Sequence, residues 1–300
     1  MGTQRRATLI ALAAVLLWST VATAFKLTLR HVGPVQLLAY ASLMSTLVLA
    51  GLVTAQGKWG LLRAAPRGAL MRASGLGILN PLLYYLVLFE AYDRLPAQVA
   101  QPLNYTWALT LTWLSVPLLG HRLGWRDMAA GLICYGGVVI IATGGDLGAL
   151  RFDDGLGVAL ALGSTVLWAL YWLGNARSRL DPVVGLFATF AAGTPLVLLY
   201  ALLFADLRAG LPGLLGAAYV GAVEMGFTFV LWLTALRLTT STARIANLIF
   251  LSPFVSLLFI QFVLGEPVRG ATSLGLGLIV GGLLWQRGST KSVIDDVSVN

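Results

Sequence analysis

One carboxylic acid stands alone in a long apolar segment. Glu224 occupies the middle of AAYVGAVEMGFTFVLWL. An ionised carboxylate facing lipid costs at least about 2.5 kcal/mol, so this side chain is expected to face a cavity or a partner, or to hold a proton. It is then a proton-coupling group, a counter-charge for a substrate ammonium, or a neutral acid bonded between helices. Thr228 and Trp232 follow at i+4 and i+8, which predicts a stripe of candidate substrate-binding residues on one helical face.

Three tryptophans form the second candidate group. Trp168 and Trp172 share one face of ALALGSTVLWALYWLGN, and Trp18 has the equivalent place in ALAAVLLWSTVATA. Indole rings are apolar but carry an N–H donor, so they can line a pocket for an amphipathic solute. Indoles are equally typical of the aromatic belt at a membrane interface. The sequence leaves both interpretations open.

Uncharged polar side chains supply the remaining substrate-binding candidates. Pro81 removes a main-chain donor and loosens its helix, which suits a bend that faces a substrate. A stripe of such side chains on a spanning helix is as typical of a helix contact as of a cavity. The candidates are Asn80 and Tyr84 beside that proline, Gln101 and Tyr105 one segment later, and Asn247, whose amide can donate to a carboxylate or carbonyl.

All these residues sit in apolar stretches of membrane-spanning length. A spanning helix needs about 20 apolar residues. The chain is 58% hydrophobic and 11% charged, with a mean hydropathy of +0.85, whereas a soluble domain carries about 25% charged residues. The sequence therefore predicts an all-α membrane protein with ten transmembrane helices around a central cavity. The predicted helices cover residues 7–29, 33–55, 69–92, 97–118, 127–143, 155–175, 183–204, 211–236, 242–264 and 270–286.

Composition excludes several other classes of protein. The net charge is +8, but the basic residues fall in the breaks between the apolar stretches, so no nucleic-acid partner is expected. One cysteine, Cys134, and two histidines leave little from which to build a metal or cofactor site, and neither is expected. HExxH, GxSxG and GxxxxGK[ST] are absent, which argues against an intramembrane enzyme and against ATP-driven transport.

The distribution of basic residues predicts the orientation. If the N-terminus is cytoplasmic, most lysines and arginines fall in cytoplasmic loops, and the opposite side also carries the acidic Asp146, Asp153 and Asp154. The positive-inside rule then places both termini in the cytoplasm of a multi-pass protein of the cell inner (plasma) membrane. The polar tail 287–300 is expected to be a disordered cytoplasmic segment. The arginines that this orientation leaves on the outer side are Arg30, Arg94, Arg151, Arg208 and Arg269.

The chain repeats itself at an offset near 145 to 150 residues. HVGPVQLLAY matches RLDPVVGLFA, and PLLGHRLGWRDMAAGLICYGG matches FVLGEPVRGATSLGLGLIVGG. This predicts two five-helix repeats, 1–148 and 149–286. Because five is odd, the second repeat enters the membrane from the opposite side, so the repeats are inverted. Inverted repeats are typical of secondary transporters, whose substrate site lies between the halves.

These segments resemble the drug/metabolite transporter superfamily. The closest branch is the EamA-type exporters, and the chain is similar to bacterial aromatic amino-acid exporters within it. The most specific piece is LGEPVRGATSLGLGLIVGGLL, in which Glu266 matches the family's usual acid, whereas the first half has His121 there. The resemblance implies efflux of small metabolites through a cavity lined by helices one, three, four, six, eight and nine.

Together these patterns predict a secondary transporter that works by alternating access. We expect it to move small amphipathic metabolites, most favourably amino acids including aromatic ones, outward across the membrane. The alternatives are a transporter of other drug-like or sugar-containing metabolites and, from a different class, an intramembrane enzyme. The expected partners are the solute and membrane lipid. The expected oligomeric state is a monomer or a weak homodimer through helices five and ten, and Gly277-x-x-x-Gly281 in helix ten is typical of close packing.

Two further charges lie near span ends. Glu266 precedes Pro267, where it is expected mainly to reach water or cap the next helix. Lys26 is expected to extend to the membrane interface, or alternatively to line the cavity and meet a carboxylate.

Overall fold

The computed structural model describes residues 3–119, 124–146, 154–175, 178–239, 245 and 248–287. Every regular element in these residues is a helix, which confirms the all-α prediction. In chain order the main helices are Thr3–Leu29 (α1), Pro34–Ala55 (α2), Trp59–Ala64 (α3), Arg67–Arg94 (α4), Ala97–Tyr105 (α5), Trp107–Leu119 (α6), Trp125–Ala142 (α7), Gly155–Asn175 (α8), Pro182–Phe204 (α9), Leu211–Leu238 (α10), Ile249–Leu264 (α11) and Gly270–Arg287 (α12).

Seven of these helices are long and apolar enough to cross a membrane. They are α1, α2, α4, α7, α8, α9 and α10. The stretches predicted at 97–118, 242–264 and 270–286 contain shorter apolar helices, namely α5 with α6, α11 and α12. Over the predicted stretch 97–118, α5 and α6 are separated by a single residue, Thr106. The Thr106 hydroxyl donates to the carbonyl oxygen of Leu103 at 2.8 Å, which competes with the regular main-chain ladder.

Three long helices are also irregular. α1 is interrupted at Thr20, whose hydroxyl donates to the carbonyl of Leu17 at 2.7 Å. α4 leaves helical geometry at Asn80, with φ −142° and ψ 116°. A residue before proline is disfavoured in the helical region, so Pro81 accounts for this break and for the loosening expected from the sequence. In α10 the segment Val220–Thr228 is a wide turn with i→i+5 hydrogen bonding.

The helices pack as one bundle. α2 lies against α9 and against the wide turn of α10, and α4 lies against α8 and α9. The first part of α1 packs along the last part of α10, and α7 pairs with α12. Large apolar side chains such as Leu132, Phe262 and Met71 are exposed on the outside of this bundle. An apolar exterior is what a bilayer requires of the helices that it surrounds.

Glycines set the closest helix contacts. A Cβ atom placed on Gly275 of α12 would lie 2.6 Å from the carbonyl oxygen of Gly137 in α7. The same test at Gly77 in α4 places a Cβ atom 2.6 Å from the carbonyl oxygen of Thr189 in α9. These backbones approach so closely because no side chain separates them, as is common between membrane helices.

The glycines that the sequence singled out in α12 do not make this contact. Gly277 and Gly281 have open space around their Cα atoms, whereas Gly275 and Gly282 face α7. Residues 275 and 277 differ by two positions, which is about 200° around a helix. The packing of α12 on α7 within the chain therefore uses Gly275 and Gly282, and the stripe of Gly277 and Gly281 lies on another face of α12.

Gly275→Ala and Gly277→Ala should have opposite effects on stability. The new methyl group at 275 collides with main-chain atoms of α7, and overpacking of this kind costs about 1–3 kcal/mol. The methyl group at 277 meets nothing within 4 Å and should stabilise the helix by about 0.5–1 kcal/mol. The measurement is the apparent melting temperature of the purified protein in detergent. Equal shifts of the same sign in both variants would contradict the described packing of α7 on α12.

Candidate functional site

A cavity of about 270 Å³ lies within the bundle. Residues of α1, α4, α5, α6, α8, α9, α10 and α11, together with residues 178–181 before α9, line it. Seven of the ten predicted substrate-binding residues are in the lining, namely Trp18, Tyr84, Gln101, Tyr105, Trp168, Trp172 and Glu224. The structure therefore brings most of the sequence candidates to one concave site, although they come from distant parts of the chain.

Aromatic rings form a continuous layer on this cavity. The Trp168 ring stacks on Tyr84, with 4.4 Å between the centroids, and lies 5.8 Å from the ring of Trp172. Phe229 connects Trp168 to Trp18 through edge contacts at 5.6 and 5.8 Å. Aromatic pairs at such separations add about 0.5–1.5 kcal/mol beyond their buried area, so the layer is rigid. Trp232, which was placed on the Glu224 stripe, extends it at 5.4 Å from Trp18.

Glu224 lies in the wide turn of α10, and its residue is only 9% exposed. Its Oε1 atom accepts a hydrogen bond from the Tyr85 hydroxyl at 3.1 Å. The Trp18 indole lies beside the same carboxyl group. The second oxygen, Oε2, is buried and has no hydrogen-bond partner in the protein. Wide turns of this type are frequent at functional sites, and here the turn carries an acidic residue that lines the cavity.

Two other lining residues also hold buried polar atoms without protein partners. These atoms are Oε1 of Gln101, a hydrogen-bond acceptor, and Nε1 of Trp172, a donor. A buried polar group without a partner costs about 1–3 kcal/mol. The described residues supply no hydrogen bond to either atom. With Glu224 Oε2, the residues that line the cavity therefore hold two buried acceptors and one buried donor without hydrogen-bond partners.

Two predicted residues lie elsewhere. Asn80 is fully buried in the break of α4, near the phenol of Tyr171, and neither of its amide atoms makes a hydrogen bond. Thr228 is also fully buried, and its hydroxyl is without a partner. Neither residue lines the cavity. Thr228 was placed beside Glu224 by a period of 3.6 residues, which the wide turn between them does not follow. Asn247 is outside the described residues.

The ten substrate-binding candidates did not include several polar residues that line the cavity. Asn104, whose amide nitrogen donates to the Ser164 hydroxyl at 2.9 Å, is in the lining. At one end the lining includes Arg179, Asp181 and Arg237, which we call the mouth. Arginines between spans were used only to infer orientation. The signal that could have identified this region is Asp181 directly before Pro182, because an acid before a helix-initiating proline is a helix cap.

Asp181 is the centre of the mouth. Its carboxylate accepts bonds from Lys58 Nζ at 2.9 Å and from Arg237 Nη1 at 3.3 Å. It also caps α9, because Oδ1 accepts from the main-chain nitrogen of Val183 at 3.0 Å. Burial by itself would raise the pKa of Asp181, but the Lys58 ammonium and the main-chain donors outweigh burial and hold this pKa below its usual value. The carboxylate thus joins the α2–α3 connection, α9 and α10.

A second polar network lies past the opposite end of the cavity. Phe25 and Tyr92 line that end, and Lys26 Nζ donates to the carbonyl oxygens of Tyr92 at 2.7 Å and Leu95 at 3.1 Å. Lys26 is not among the residues that line the cavity, contrary to one of the two interpretations that the sequence offered. It ties α1 to the connection between α4 and α5.

Glu266 and Gln98 complete this network. The Glu266 carboxylate accepts from the main-chain nitrogens of Ala97 at 3.4 Å and Gln98 at 3.5 Å. The carboxylate caps α5 and not the helix that follows Glu266 in the chain. A cap is a structural role, which is what the sequence led us to expect. The Gln98 amide donates to the carbonyl of Pro267 at 2.9 Å and accepts from the main-chain nitrogen of Arg269 at 3.0 Å. These bonds join α5 to the connection between α11 and α12.

The helical bundle, the apolar exterior and the internal cavity define a multi-pass membrane protein with a solute-sized binding site. The chain belongs to the EamA-like transporter family, whose sequence profile matches residues 5–143 and again 155–286. It is 23% identical over 208 residues to the "Uncharacterized transporter YvbV" of Bacillus subtilis (strain 168), covering 68% of this chain and 67% of that protein. A crystal structure 25% identical in sequence superposes with a TM-score of 0.67 and covers 96% of this chain and 100% of its own. Membership of this family assigns the chain to transporters of the drug/metabolite superfamily.

Substitutions of Asp181 should distinguish the stability that comes from its charge from the stability that comes from its cap on α9. Asp181→Asn keeps a side-chain oxygen for the start of α9 but loses the ion pairs, and Asp181→Ala loses both, so the alanine variant should be less stable by about a further 1 kcal/mol. Because the pKa of Asp181 is lowered, the stability from its charge is present above about pH 4 and is lost as the pH falls through the lowered pKa. The difference in stability between the parent protein and Asp181→Asn should therefore become smaller as the pH is lowered.

The measurement is the apparent melting temperature at neutral pH and at stepwise lower pH. The control is Asp206→Asn, since Asp206 is outside the mouth and its carboxylate accepts from the main-chain nitrogen of Arg208. An advantage over Asp181→Asn that grows on acidification would contradict the assignment.

Proposed function

We propose that this protein is a secondary transporter of small amphipathic metabolites, most favourably amino acids including aromatic ones. It moves them outward across the cell inner membrane by alternating access and has no enzymatic activity. The observation that carries the proposal is the aromatic cavity itself, which has buried polar atoms in its wall, a charged mouth at one end and a hydrogen-bonded network past the other. Indoles and phenols favour solutes with an apolar ring, and the unpartnered acceptors and donor favour solutes with polar groups.

The proposed architecture is ten transmembrane helices in two inverted repeats, residues 1–148 and 149–286. The two matched segments of the family profile, 5–143 and 155–286, fall within these halves and support the division. Trp18 and Trp168, which the repeat pairs with each other, both line the cavity. A substrate site between repeats is typical of secondary transporters with this architecture.

The mouth is proposed to face the cytoplasm, with both termini on that side. Lys58, Arg179 and Arg237 are grouped there, and basic residues favour the cytoplasmic ends of spans. In this orientation the described conformation faces inward. The network of Lys26, Gln98 and Glu266 then closes the outer end, and rocking of one half against the other must break it to release a solute outside.

The proposed oligomeric state is a monomer or a weak homodimer through α7 and α12. Gly136, Gly277 and Gly281 leave open space on these two helices. A second copy could approach there as closely as α7 approaches α12 within one chain.

Replacing Trp168 should abolish most of the transport while leaving the fold intact. Trp168→Ala removes the ring that stacks on Tyr84 and contacts Trp172, so uptake of radiolabelled L-tryptophan or L-phenylalanine by proteoliposomes should fall about tenfold or more. The matched control is Trp125→Ala, because Trp125 is 68% exposed and lies outside the cavity. Its uptake should stay near that of the parent protein.

The same assay decides between substrate classes. Transport of nucleotide sugars or drug-like compounds without any amino acid would replace the proposed substrate by the alternative one. No uptake of any of these solutes by the parent protein would overturn the assignment of function.

Weakening the outer network should open the cavity to the outside. Lys26→Met keeps the length of the side chain but removes the donors to the Tyr92 and Leu95 carbonyls, so the outward-open state should gain population. The reporter is Ala22→Cys in a Cys134→Ala background, since Ala22 lines the cavity and Cys134 is the only native cysteine. Labelling of intact cells by a membrane-impermeant maleimide should accelerate several-fold in Lys26→Met and remain slow in the control Arg30→Met. Equal labelling in both variants would refute the closing role.

A further inference from the structure

Glu224 has one oxygen that accepts a hydrogen bond from the protein and one buried oxygen without a hydrogen-bond partner, in a residue that lines the cavity. Oε1 accepts from the Tyr85 hydroxyl, whereas Oε2 is buried, without a protein partner, in a residue that lines the cavity. A carboxylate oxygen accepts hydrogen bonds and attracts positive charge. The natural partner for Oε2 is therefore a cationic N–H donor.

The rings around this oxygen favour the same kind of partner. Trp18 lies beside the carboxyl group, and Trp168 and Trp232 line the same cavity. A cation over the face of an indole gains about 0.5–2 kcal/mol, with the larger values where water is excluded. The unpartnered Oε1 of Gln101 adds a second acceptor in the lining. An ammonium group attached to an aromatic body matches all of these features.

The groups that face Glu224 from the neighbouring helices do not neutralise it. The titratable side chains of the described residues that interact with it are Tyr84, Tyr85 and Tyr92 from α4 and Tyr105 from α5. α2, which packs on the wide turn, contributes Ala41, Met44 and Val48. Phenols are uncharged near neutral pH, and the charged lining residues Arg179, Asp181 and Arg237 belong to the mouth.

We infer that Glu224 binds the ammonium group of the transported solute, and that a proton and this ammonium are alternative occupants of its carboxylate. When the ammonium arrives, the carboxyl O–H bond breaks, the proton passes to water in the cavity, and the carboxylate pairs with the cation. On the other side of the membrane a proton replaces the departing ammonium. No electron is transferred, and one proton enters for each ammonium that leaves. The inference rests on the proposed transport function and adds its recognition chemistry and its coupling.

Three indole compounds test the inference because they differ only in charge. Tryptamine carries the ammonium, indole-3-propionate carries the carboxylate, and L-tryptophan carries both. In equilibrium binding to purified protein, Glu224→Gln should weaken tryptamine and L-tryptophan by about tenfold or more, as expected for loss of a hydrogen bond to a charged group. Indole-3-propionate should bind the variant at least as tightly as the parent protein, since a like charge has been removed.

Different failures have different meanings. If all three compounds bind and Glu224→Gln changes none of them, or weakens them equally, the ammonium site is refuted while the transport function stands. If none of the three binds the parent protein, the aromatic solute class fails and both proposals fail with it. Glu224→Asp retains the charge and should restore part of the tryptamine affinity, whereas a merely structural role would not distinguish the three compounds.

A second measurement does not depend on the folding of any variant. In the parent protein, tryptamine affinity should fall as the pH is lowered, since protons then occupy the carboxylate, and binding at acid pH should release about one proton per tryptamine into unbuffered solution. Indole-3-propionate affinity should not fall over the same range. Tryptamine binding that is independent of pH and releases no protons would overturn the proposed competition.

Discussion

The constraint on which this structure depends is that main-chain polar groups in lipid must be satisfied inside the protein. Regular helices satisfy them without help, so an irregular backbone is tolerated only where protein or a cavity surrounds it. The four irregularities described here occur at Thr20, Asn80, Thr106 and the turn Val220–Thr228. Next to or within them, in the same order, lie the cavity residues Trp18, Tyr84, Tyr105 and Glu224. At these four places an irregular backbone lies beside a residue of the cavity wall, whereas the wide turn Ile260–Leu264 in α11 carries no residue of the lining.

The two ends of the cavity are held by different chemistry. At the mouth, Asp181 pairs with Lys58 and Arg237 through charged side chains that are partly exposed, so water and salt weaken these bonds. At the other end, Lys26, Gln98 and Glu266 bond mainly to main-chain atoms of the connections between helices. The formation of such bonds depends on the relative position of whole helices, because main-chain atoms cannot change rotamer as side chains can. A shift of α1 or α11 therefore affects several of them together.

The sequence predicted the site best where the free-energy cost of placing a group in lipid identified a residue. A carboxylate inside an apolar span is costly unless it faces a cavity or a partner, and Glu224 lines the cavity. Trp18, Trp168 and Trp172 line it as well, although the sequence left open whether they belong to a pocket or to an interfacial belt. Prediction failed where it relied on regular helical geometry. Thr228 was assigned to the face of Glu224 by a period that the wide turn alters.

Other contacts could not be predicted, because no single segment of the sequence indicates them. The partners of Lys26 are main-chain carbonyls 66 to 69 positions later in the chain, and every residue type carries such a carbonyl. The mouth likewise assembles when α9 and α10 bring Asp181 and Arg237 together, 56 positions apart. The all-α class and its apolar stretches could be predicted because composition determines them, whereas these contacts depend on packing.

The wide turn in α10 also affects how this helix can be compared with any other. A turn with i→i+5 bonding holds more residues than a regular one, and each additional residue rotates the rest of the helix by about 100°. Residues after Thr228 therefore lie at positions around the helix axis that differ from those expected for a regular helix. An alignment of this helix that matches residues one to one on both sides of the turn would superpose wall positions on lipid-facing positions. A gap of one residue within the turn keeps equivalent faces together, and a deletion there would turn Trp232 away from Trp18.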